Sequence, residues 1–164
     1  MAPDSPTQTS TITGTEAAAG AGIEAPELLS EAWFAELAKV ATNSLQANRI
    51  GFADLRLVLQ IDQPGHPSRY TGIVMEGYEI ESLGWVQDLD EFAPDAVVEG
   101  DLSAWTEMFG NIADHGFADG SHTFNALTMA GFPLTVVSED PVKRDKVFRF
   151  AETIQHLLDS AAKL

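Results

Sequence analysis

His115, Asp119 and His122, in the segment ADHGFADGSHT, are of the types that hold zinc or iron, and on a helix they would share one face. Gly116 and Gly120 interrupt any such helix, and Asp beside Gly is what a turn requires, so no metal is expected. A second chemistry would pair carboxylates with phenols. In an apolar cavity Tyr70 or Tyr78 could donate to an oxyanion while Asp95 or Asp101 took a proton. Asp101 also has a simpler reading, as the cap of a helix that starts directly behind it. A third group is KRDKVFR, Lys143 to Arg149, four cations at the start of a helix, where they oppose its dipole. Either the protein's own acids neutralise them or they anchor a carboxylate or phosphate. His66 and His156 have no visible partner. There is no cysteine, which excludes disulfides, thiolate catalysis and cysteine metal sites. No Ser-His-Asp pattern, phosphate loop or dinucleotide fingerprint occurs, and no cofactor is implied.

The elements that must position these groups follow from hydropathy spacing. Residues 1–25 are rich in Pro, Thr, Ser, Ala and Gly and predict a disordered tail; residues 26–164 form one domain. Leu29, Trp33, Leu37 and Val40 share one side of a first helix starting near Pro26 and ending between Asn48 and Gly51. Leu55, Leu57, Leu59 and Ile61 alternate with Arg56, Val58 and Gln60, a strand with one buried face. RYTGIVMEGYEIESLGWV predicts more strand, with bends at Gly72, Gly77 and Gly84, and QDLDEFAP a loop. In DAVVEGDLSAWTEMFGN a β-branched run stops at Gly100, and Leu102, Trp105, Met108 and Phe109 then form an apolar helical stripe. FNALTMAG predicts a short helix closing at Gly131, and FPLTVVSE a last strand. Asp140 and Pro141 start a final helix through Leu158. This order is that of an α+β protein with one mostly antiparallel sheet covered by helices on one side.

Charge narrows the partners. The net charge is −16, and residues 70–142 hold fourteen Asp and Glu with no Lys or Arg. Such a field repels nucleic acid and anionic membranes, and it leaves a basic partner enzyme as the macromolecule it would suit. No apolar run approaches the roughly 20 residues of a membrane span, so stable membrane insertion is not expected. The lack of cysteine and of a signal-like start fits a cytoplasmic protein.

SEAW early in the first helix, the DAVVEGDLSAWTEMFGN step, and ALTMAGFPLTVVSED leading into the last helix resemble the sterol carrier protein 2 lipid-transfer family over residues 28–160. In that family a Gly-Asp often ends the last strand; here Ser138-Glu139-Asp140 stands in its place. The resemblance implies a five-stranded sheet under helices with an apolar tunnel between them. It implies binding of sterol, fatty acid or acyl-CoA and does not imply catalysis.

The large apolar groups gathered between two strands and beside glycine-rich loops, with two inward residues of the final helix, are therefore the candidate ligand-lining residues: Trp105, Phe109, Phe117, Phe124, Leu127, Phe132, Phe150 and Ile154. The expected function is non-catalytic binding or carriage of a hydrophobic small molecule. Its alternatives are a cavity enzyme moving protons on a steroid or terpenoid, and an accessory subunit of a lipid-metabolising enzyme.

Overall fold

The computed structural model describes residues 25–48 and 52–164; the expected tail lies outside them, as does the Arg49 to Gly51 end of the first helix. In chain order the elements are α1 Glu31–Asn48, β1 Ala53–Asp62, β2 Arg69–Gly77, β3 Glu79–Trp85, α2 Leu89–Phe92, β4 Ala96–Asp101, α3 Leu102–His115, α4 Phe124–Leu127, β5 Leu134–Val137, α5 Pro141–Arg149 and α6 Ala151–Asp159, with a 3₁₀ turn at Ser160–Lys163. The sheet order is β3-β2-β1-β4-β5. Only the central β1–β4 pair is parallel; its neighbours are antiparallel.

One face of this sheet carries the core. Leu55, Leu57, Leu59 and Ile61 alternate along β1 and are buried with Ile73 and Met75 of β2, Ala96 and Val98 of β4, and Leu134 and Val136 of β5. Helices α1, α3 and α6 lie over that face, and their apolar residues join the strand residues in one continuous cluster. Trp33 of α1 meets Phe109 of α3 edge to face, ring centroids 4.8 Å apart, and so ties two covering helices together. On the opposite face Val58 is fully buried, opposite Gly72 in the ladder. There a Cβ on Gly72 would meet the ring of Phe92 at 2.6 Å, so glycine lets α2 pack against the strands.

Several boundaries differ from the sequence expectation. The first helix begins at Glu31, not near Pro26, because the Ser30 hydroxyl accepts from the Trp33 N–H at 3.1 Å and caps it there. At Gly77 the expected bend is present: φ is 65°, and RYTGIVMEGYEIESLGWV folds back on itself there as β2 and β3. QDLDEFAP holds the short helix α2, capped by Asp88, whose carboxylate accepts from the Asp90 and Glu91 N–H groups. Asp101 occupies the N-cap position of α3, yet its side chain makes no capping hydrogen bond. Helix α4 ends at Leu127, and Gly131 serves the following turn at φ 86°. The last helix is divided at Phe150, where ψ of 15° separates α5 from α6. Asp140 caps α5 through the Val142 N–H at 2.8 Å, as its position before Pro141 predicts.

Candidate functional site

The stripe behind β4 faces the sheet. Ala104, Trp105, Met108, Phe109 and Ile112 are the buried residues of α3, spaced to form one side of the helix. Trp105 is fully buried, and its indole N–H donates to the Gln60 carbonyl of β1 at 2.9 Å. A Cβ on Gly100 would lie 2.9 Å from the indole nitrogen and would also strike Leu134, so this glycine makes room for the Trp105 ring on the end of β4. The structure brings Trp105, Phe109, Phe124, Leu127 and Ile154 into the layer between sheet and helices, with Phe150 packed at its margin. It does not bring Phe117 and Phe132 there: they stand 60% and 50% exposed. Phe117 follows Gly116, whose φ of 83° ends α3 and turns the chain outward; Phe132 sits in the turn before β5.

The layer has a surface crevice at one end. β1 and β4 run parallel and finish side by side at Asp62 and Asp101. From there the chain leaves β1 toward β2 on one side and leaves β4 into α3 on the other. The two chain paths therefore diverge beyond these strand ends. A crevice of about 680 Å³ lies there, lined by Asp62, Gln63, Pro64, Asp101, Leu102, Ser103, Thr106 and Glu107. Leu102 is shared: it lines the crevice and packs against the buried cluster.

The groups proposed for chemistry do not meet in the apolar layer. Tyr78 is exposed at the β2–β3 turn, beside the start of β1, whereas Asp101 lies level with the end of β1. That separation of about nine residues is roughly 30 Å. Tyr70 pairs with Gln60, in the alternate set from the buried Leu59 and Ile61. Asp95 is nearly buried and belongs to a structural clasp. Its carboxylate accepts from the Arg56 N–H at 2.9 Å and meets Lys146 at 3.4 Å and Lys143 at 4.0 Å. The Ser138 hydroxyl donates to the Asp95 carbonyl at 2.7 Å, fastening the end of β5 to the start of β4. Lys146 also pairs with Asp54 and Arg149 with Asp145, so three of the four cations of KRDKVFR meet acids of this chain.

His115 and His122 part company. His115 Nδ1 lies 2.9 Å from the Asn111 carbonyl of its own helix. His122 Nδ1 lies 2.8 Å from Asp119 and Nε2 3.3 Å from Glu107 of α3. Among the described residues no three His, Asp or Glu side chains gather as a metal site. The hydrogen bond to Asp119, reinforced by Glu107, raises the His122 pKa above its ordinary 6.5. The same bond, with those from Ser121 and Asn111, holds the Asp119 carboxyl well below the usual range. A raised histidine contributes stability that is complete below 6.5 and lost as pH rises through the folded-state value; the lowered Asp119 contributes above its ordinary 3.8 and fails only in strong acid. In a histidine NMR titration His122 is expected to show a midpoint above 6.5 that falls in Asp119→Asn. A midpoint no higher than the ordinary histidine value would remove this clasp.

Two polar groups on the core face were not singled out from the sequence. Arg69 and Thr71 stand opposite Ile61 and Leu59, on the same side of β2 as Ile73 and Met75. Period-2 alternation carries that signal, two polar residues at the head of an apolar face.

No family model matches the sequence, and no curated protein does. Solved structures do. A conserved hypothetical protein of Thermus thermophilus, described as a possible sterol carrier protein, aligns with TM-score 0.60 and 19% identity over 84% of this chain and 89% of its own. A crystal structure of sterol carrier protein 2 aligns with TM-score 0.61 and 19% identity over 84% of this chain and 99% of its own. This chain therefore has the sterol carrier protein 2 fold, a single mostly antiparallel five-stranded sheet with helices.

Proposed function

We propose that this protein binds and carries a hydrophobic small molecule between the sheet and its covering helices, without transforming it. The observation that carries this reading is the continuity between the crevice at the ends of β1 and β4 and the apolar layer, through the shared side chain of Leu102. The ligand's chain passes Leu102 and displaces contacts among Trp105, Phe109, Phe124, Leu127, Phe150 and Ile154. A ligand burying about 300 Å² of apolar surface gains roughly 7 kcal/mol before the costs of association. The structural neighbours named as sterol carriers support a ligand of this kind. No described helix is long and apolar enough to cross a membrane.

Native mass spectrometry of the freshly purified chain tests this reading. The expected result is a mass excess that dissociates as a lipid and returns when the stripped protein is mixed with lipid extract. A bare mass before and after mixing would count against carriage.

A further inference from the structure

The core face of the sheet is apolar except at one place. Thr71 is fully buried, and its hydroxyl has no hydrogen-bond partner among the described residues. A buried hydroxyl without a partner is uncommon, because its desolvation goes uncompensated. Two residues earlier on the same face stands Arg69, half-buried and without an ion pair or side-chain hydrogen bond among the described residues. That is unexpected in a chain with 25 acids. Two other described cations without partners, Arg144 and Lys163, are exposed, where water serves them. Arg69 and Thr71 are about 6.6 Å apart along the strand, a spacing that a guanidinium arm covers.

We propose that Arg69 and Thr71 form the seat for the polar end of the ligand, and that this end is a carboxylate. The inference rests on the carrier reading above and narrows it. The guanidinium donates two N–H bonds to the carboxylate, and the Thr71 hydroxyl donates a third. An alcohol head, such as a sterol's, would satisfy Thr71 and leave the guanidinium without an anion. Arg69 is in register with Ile61 on the core face, while Asp62 belongs to the alternate set of β1 and accepts from the Ser68 hydroxyl at 2.5 Å. The carboxylates of Asp62 and Asp101 oppose an incoming anion. Asp62 already accepts from Gln60 and Ser68, and Asp101 is exposed, where charges are screened over about 8 Å at physiological ionic strength. Direct contact with a half-buried guanidinium outweighs both.

The test titrates the full chain, stripped of lipid, with palmitic acid and with cetyl alcohol, which has the same chain length. The wild type is expected to prefer the acid by about ten-fold, in line with a charge-assisted hydrogen bond. Arg69→Gln should erase that preference, weakening the acid about ten-fold more than the alcohol. Thr71→Val should weaken both ligands about three-fold while its unfolding midpoint stays level or rises, a combination that a packing role for Thr71 would not give. Equal affinity for acid and alcohol in the wild type, or an acid preference retained in Arg69→Gln, overturns the seat and leaves carriage standing. Binding of neither molecule overturns both.

Discussion

Trp105→Ala is expected to destabilise the domain by about 3–5 kcal/mol, the usual cost of removing a large buried aromatic. The side chain is fully buried, spans from α3 to β1, and satisfies the Gln60 carbonyl with its N–H. Alanine removes the packing and leaves that carbonyl without its side-chain donor. At roughly 2–4 °C per kcal/mol for a domain of this size, the melting temperature should fall by about 6–20 °C. Trp105→Phe keeps an aromatic ring and loses the N–H, so its expected cost is nearer 1 kcal/mol. Urea denaturation of both variants measures the difference. A loss below about 1 kcal/mol in Trp105→Ala, well under the usual range, would mean that the indole does not organise the β1–β4–α3 junction.

Gly100→Ala is expected to cost about 2 kcal/mol by overpacking. The added carbon would meet Leu134 and the Trp105 indole, both buried against the sheet, so neither can yield cheaply. Gly110, on the exposed side of α3 with open space around it, supplies the contrast. Gly110→Ala should be neutral or stabilising by up to about 1 kcal/mol, from helix propensity alone. If the two substitutions shifted the urea midpoint equally, the close approach at Gly100 would not be what fixes the indole.

The parts of the fold that were legible in the sequence are those written as period. The alternation from Leu55 to Ile61 gave β1 its buried face, and Leu102, Trp105 and Phe109 gave α3 its inward stripe. Pairing direction is not a property of one segment, so the parallel β1–β4 contact that creates the crevice had no local signature. Residue type also does not encode direction. Phe117 and Trp105 are both large aromatics near α3, but the left-handed turn at Gly116 sends one outward while helical phase sends the other inward. Asp101 shows the same limit: its position suits a cap, and its side chain does not make the bond. Arg69 and Thr71 were readable as polar residues in a strand, but their lack of partners emerges only when the helices close over the sheet.

Photocrosslinking shows whether a ligand enters between the sheet and its helices. A fatty acid carrying a diazirine in its chain is bound to the stripped protein, irradiated, and its adducts are located by peptide mass spectrometry. Adducts are expected on the helix-facing layer, at Trp105, Phe109, Phe124 and Ile154, competed away by unlabelled fatty acid. Competed adducts confined to the opposite face of the sheet, at Val58, Val86 and Phe92, would contradict entry between the sheet and its helices.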